Sequence, residues 1–134
     1  MSAEGALRYA YVGMRNRAIS NGLYAPGYRF FEIDLLVRLL RDLNVLFWVA
    51  DPNYGICGKT PSLNGAPEIA IVTPPPAKPE SRGLAIWVCG TKCHHHVATQ
   101  DERWIDHLRS SGWECCIAFL AEDVRVDLRR LGYE

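Results

Sequence analysis

The chain has 134 residues, of which 49% are hydrophobic and 22% charged. That is enough apolar sequence for one domain with its own core, too little for two ordinary ones, and outside the composition of disordered segments. Fifteen Lys and Arg balance fifteen Asp and Glu, which excludes a global positive field pulling the chain toward nucleic acid. The basic residues are nearly all Arg, with Lys59, Lys78 and Lys92 as the lysines. Arg suits bidentate contact with phosphate or carboxylate, at DNA or at a protein interface. No apolar run approaches the ~20 residues of a membrane-spanning helix, and Met1 to Gly5 lack the basic start and apolar core of a secretion signal. Five cysteines is an odd number, and adjacent Cys115-Cys116 is poorly placed for a structural disulfide. Reduced thiols in a cytoplasmic setting are the simpler expectation.

In chain order, Leu7, Tyr11, Met14 and Ala18 recur at helical spacing and predict an amphipathic helix that ends near Asn21-Gly22. Residues 1–25 thus read as a helical extension, and Pro26-Gly27 breaks it from a core over 28–134. From Tyr28 to Leu43, Phe30, Ile33, Leu36, Val37, Leu39, Leu40 and Leu43 line one face of a helix. Val45 to Ala50 reads as a strand stopped by Asp51-Pro52-Asn53. Residues 54–64, with their Gly, Pro, Ser and Asn, read as a loop.

Two apolar strands follow, Ile69–Val72 and Leu84–Cys89. They are joined by a connection that Pro74-Pro75-Pro76 and Pro79 stiffen and hold at the sheet periphery. Thr99, with Glu102 three residues on, caps a helix that buries Trp104, Ile105 and Leu108 and ends at Ser110-Ser111-Gly112. Trp113 to Leu120 reads as a strand and Glu122 to Leu131 as a last helix. Trp48, Trp87, Trp104 and Trp113 alternate with aliphatic residues and are expected in the core. The order is that of an α/β domain with a central mixed sheet.

That order resembles the PD-(D/E)xK nuclease superfamily, and within it the small VRR-NUC branch. Glu32 lies in the first strong helix, Pro52-Asn53 follows the first strand, and Gly65-Ala66-Pro67-Glu68 stands where Gly-x-Pro-Asp would open the hairpin. Gln100 begins the next helix, ahead of Trp104, Leu108 and a turn at Gly112. The similarity runs from about Phe30 to Tyr133; each motif alone is weak, and their order and spacing carry the resemblance. It implies a restriction-endonuclease-like fold: a central mixed β-sheet flanked by helices. It also implies catalytic positions at Glu32, Glu68, Lys92 and Gln100, with Mg²⁺ or Mn²⁺ as cofactor.

The departure matters as much. The second strand should carry Glu-x-Lys, yet no Asp or Glu occurs from Ser81 to Thr99. Val88 and Gly90 fall at the Glu and Lys positions; a shifted alignment recovers Lys92 but leaves Gly90 where the Glu belongs. Mg²⁺ needs about one or two carboxylates besides water and phosphate oxygens. Glu68, helped at best by Glu32, is the magnesium candidate that remains, and it reads as a relic or a surface acid. Losing one group aimed at the transition state costs about 10²–10³ in rate, and two are missing.

Cys89, Cys93 and the run His94-His95-His96 form the one cluster of soft ligands, with Cys89, Cys93 and His95 as zinc candidates. The spacing lacks a second ligand pair, and an exposed polar loop is the plainer reading, with Cys115-Cys116 as conceivable partners across the sheet. The resemblance puts the His run beside the active site, where it would contact phosphate or act as a displaced general base. Gln100 either positions groups near the scissile phosphate or is an ordinary first-turn residue. Arg103, Arg109, Arg125, Arg129 and Arg130 are interspersed with Asp101, Glu102, Asp106, Glu122, Asp123 and Asp127, which predicts a solvated charged face rather than a DNA stripe.

The expectation is a catalytically inactive nuclease-like protein, with no cofactor, binding a protein, a nucleoprotein complex or DNA. An anti-defence inhibitor of a phage or mobile element would fit its size. The alternative is an active Mg²⁺- or Mn²⁺-dependent DNA endonuclease with a rearranged site. No membrane partner is expected, and a homodimer stays open.

Overall fold

The centre of the fold is a pair of apolar runs that form the sheet interior: Ile69–Ile71 and Leu84–Val88 are buried at every position, on both faces. In the computed structural model, which describes residues 13, 15–49, 67–92 and 99–134 (backbone alone for 99–102), these are strands β2 and β3. Around them stand α1 (residues 15–20), α2 (Arg29–Asp42), β1 (Phe47–Val49), α3 (Thr99–Ser110), β4 (Glu114–Ala118) and α4 (Ala121–Arg130). The four strands form one sheet in the order β1-β2-β3-β4. The first two pairings are antiparallel and β3–β4 is parallel, as its helical crossover requires. The α/β class with a central mixed sheet flanked by helices is therefore the one observed.

Strand alternation sorts side chains onto two layers. Leu84, Ile86, Val88, Cys116 and Ala118 face the main core, with Ile33, Leu36 and Leu40 of α2 and Val124 and Leu128 of α4. Ala85, Trp87 and Cys115 face the other way and meet Ile105 and Leu108 of α3. Trp87 is buried; Trp104 and Trp113 pack partly buried beside it, while Trp48 on β1 is half-buried.

The elements are shorter than their apolar runs. β1 starts at Phe47 rather than Val45, since Leu46 N–H bonds the Thr73 hydroxyl at 2.9 Å. β4 ends at Ala118, where the Glu32 carboxylate and the Asp123 side chain draw the chain into α4. Of the expected first helix, Leu7, Tyr11 and Met14 lie outside the described residues. Its end is as expected: residue 20 is the last helical one, Leu23 N–H closes on Ala18 O at 2.8 Å, and Gly22 sits at φ 71°. Among the described residues, no helix is long and apolar enough to cross a membrane.

The proline-rich connection packs against the end of α4: Ala77 N–H donates to Leu131 O at 3.0 Å and the Tyr133 hydroxyl donates to Thr73 O. Burial, with Glu114 nearby, pushes Tyr133 up to about 12, and burial with the Asp34 hydrogen bond pushes Tyr24 up as well. Both phenols hold their protons in the folded chain after an unfolded chain has released them near pH 10. Their contribution to stability is thus intact below about pH 10 and is lost as pH rises toward the folded value. Tyr133→Phe is expected to flatten the fall in urea midpoint between about pH 10 and pH 11, read by circular dichroism.

Candidate functional site

Glu68 enters the sheet at the head of β2, its own N–H bonded to Ile86 O at 3.0 Å. That bond fixes its side chain over the end of β3. Oε2 accepts the Val88 N–H at 2.8 Å, and Oε1 accepts Nη2 of Arg29 in a short ion pair. Both partners are shielded, with 10% of the Glu68 and 19% of the Arg29 side chain exposed. Burial pushes the Glu68 carboxyl up from its ordinary value, against the opposing pull of the Arg29 guanidinium and the Val88 N–H. Glu68 is therefore not a surface acid: Pro67 is fully buried and Glu68 follows it inside.

Arg29 reaches Glu68 because it opens α2, directly after the Gly27 turn. Three residues on, about one helical turn along α2, Glu32 points inward and is 4% exposed. Its Oε2 accepts the Gly27 N–H at 3.1 Å and its Oε1 accepts the Ala121 N–H at 3.0 Å. A residue of α2 thus caps the start of α4, where a negative charge meets the positive end of the helix dipole.

The Gly27 carbonyl accepts the Thr91 and Lys92 N–H groups at 2.8 and 3.2 Å. Gly90 crosses this seam at φ 73°, so closely that a Cβ would lie 2.9 Å from Arg29 N and from Gly27 O. Val88, at the expected glutamate position, is fully buried in the main core, and Lys92 is exposed with its Nζ 5.5 Å from the Tyr28 ring centroid. Lys92 forms no ion pair with Glu68.

The structure therefore brings Glu32 and Glu68 to the same corner, but joins each to the chain's own N–H donors. Gln100 lies in the first turn of α3, with its side chain outside the described residues. Cys93 and the run His94-His95-His96 lie outside them entirely. Cys89 is buried and bonds Ala118 O through its N–H at 2.8 Å. Cys115 and Cys116 pair in register with Ala85 and Ile86. That is four and three residues short of Cys89, about 10–13 Å along the strand, so neither completes a site with it. Burial also keeps these thiols protonated, Cys115 at about 11 and Cys116 higher still, helped by its Asp127 hydrogen bond.

Among the described residues no group of three His, Cys, Asp or Glu is placed to hold a metal ion. The divalent ion that the resemblance implies does not fit the Glu68 pocket as built: one oxygen holds a guanidinium, the other a backbone N–H, and the facing strand position is Val. The charged face on the last helix is mostly self-paired. Arg125 and Arg129 meet Glu134, and Arg130 meets Asp127 at 2.9 Å and Glu114 at 3.4 Å. Arg29 was missed in the sequence; its one visible signal was a cation opening the helix that carries Glu32. Comparison with protein-family models, with curated proteins and with solved structures finds no match.

Proposed function

We propose that the chain is a catalytically inactive, nuclease-like binding protein whose partner is a protein or nucleoprotein complex in the cytoplasm. An inhibitor carried by a phage or mobile element against host defence is the role that suits it. One observation carries this reading: both carboxylates at the nuclease-matched positions have their oxygens bound by the chain's own N–H donors. A carboxylate that caps a helix or neutralises an arginine is spent on the fold. The element order, a helix, three antiparallel-linked strands, a crossover helix and a parallel strand, supports the nuclease-like frame.

A protein partner is favoured over naked duplex by the zero formal charge and the paired arginines, since duplex affinity depends on a cationic face that releases counterions. It is also favoured by Ile117 on the edge strand β4 and Phe119 just beyond its end, which are 40% and 52% exposed.

The purified protein, incubated with Mg²⁺ or Mn²⁺ and plasmid or single-stranded DNA, is expected to cleave no faster than a Glu68→Ala variant. Metal-dependent cleavage that Glu68→Ala abolishes would establish the endonuclease and defeat the proposal. In a parallel capture from host lysate, retention of a partner after nucleic acid is digested identifies a protein target. Loss of all capture on digestion would instead point to DNA or RNA.

A further inference from the structure

We propose further, resting on the nuclease-like reading above, that Arg29 is the built-in cation of the Glu68 pocket. It stands where that reading implies a divalent ion, so that folding and partner binding proceed without metal. A carboxylate this buried is stable only if its charge is compensated. Here the compensation is supplied by α2 itself: Arg29 Nη2 on Oε1, with the Val88 N–H on Oε2. Guanidinium suits the task, because it keeps its proton and is more weakly hydrated than an ammonium.

Two details show that the pair fixes Arg29, rather than Arg29 finding its own best surroundings. Among the described residues, the Arg29 Nε is buried with no hydrogen-bond acceptor, a cost accepted for placing Nη2. The backbone at Arg29 is clamped as well, since Gly90 packs against its N atom within a distance that no side chain would allow. A hydrated Mg²⁺ or Mn²⁺ would have to expel a tethered cation from the same oxygen and would find Val88 in place of a second carboxylate.

The test is a double-mutant cycle with metal titration. The thermal midpoint of the wild-type chain is expected to agree to within about 1 °C in chelator and in millimolar Mg²⁺ or Mn²⁺, and Mn²⁺ electron paramagnetic resonance should show no stoichiometric uptake. Arg29→Met should lower the midpoint by about 5 °C or more, and Arg29→Met with Glu68→Gln should recover at least half of that loss, because no buried charge remains. A double variant no more stable than Arg29→Met overturns the proposal, as does Mn²⁺ uptake by the wild type that Glu68→Gln removes.

Should Arg29→Met not fold, Arg29→Lys keeps one positive charge and is expected to fold and ignore Mn²⁺; stoichiometric uptake by it through Glu68 also overturns the proposal. Mn²⁺ uptake without DNA cleavage sinks this inference alone, whereas cleavage that depends on Glu68 sinks the binding-protein reading with it.

Discussion

Glu32→Ala is expected to lower stability by about 3–5 kcal/mol, a fall in thermal midpoint of roughly 10–20 °C. The carboxylate it removes is buried and accepts two backbone N–H groups, those of Gly27 and Ala121. Truncation leaves both donors without acceptors, and each such buried group costs about 1–3 kcal/mol. Glu32→Gln separates this role from catalysis. Its amide oxygen can serve one donor, but its NH₂ must then face the other, so about 1–3 kcal/mol should be lost even by this near-isosteric change. A glutamate kept for metal chemistry would behave otherwise: Ala and Gln would leave the melting curve nearly unchanged. Differential scanning calorimetry of the two variants decides between these outcomes.

Gly90→Lys, which would place a lysine where the proposed nuclease-like frame calls for one, is expected to cost about 2–4 kcal/mol and to confer no cleavage. The cost arises at Cβ, before the rest of the side chain matters. At φ 73° an L side chain is strained, and its first carbon would sit 2.9 Å from two backbone atoms of the α2 entry turn. Gly90→Ala should therefore lose nearly as much in urea midpoint as Gly90→Lys. A stable Gly90→Lys protein that cuts DNA in Mn²⁺ would show that the seam yields and that the frame is a repairable enzyme.

Much of the fold was legible because its strands announce themselves. Ile69–Ile71 and Leu84–Val88 are apolar at consecutive positions, the pattern of a strand buried on both faces, and the α2 residues Ile33, Leu36, Val37 and Leu40 recur at helical spacing. The β2–β3 hairpin and a mixed sheet were expected; the full strand order and the parallel β3–β4 pairing came from the structure. The chemistry of the corner was less legible. Glu32 is satisfied by a backbone amide 89 residues away, and Glu68 by a cation 39 residues away. No local pattern encodes either partner. The same gap hid the burial of Glu68: an acid at the head of a hairpin strand reads as a surface acid until the Arg29 and Val88 donors opposite it are in place. The mutual neutralisation of the C-terminal charges, by contrast, was foreseeable from their alternating signs, since Asp127 and Arg130 lie one helical turn apart.

Gly27 gives its N–H to a carboxylate in α2 and its carbonyl to two amides from the segment leaving β3, while that same carboxylate holds the first residue of α4. One residue without a side chain thus acts as a keystone for three stretches of chain that are remote in sequence. A displacement of Thr91 or Lys92 would therefore pull on the Gly27 carbonyl and, through Glu32, on the first residue of α4.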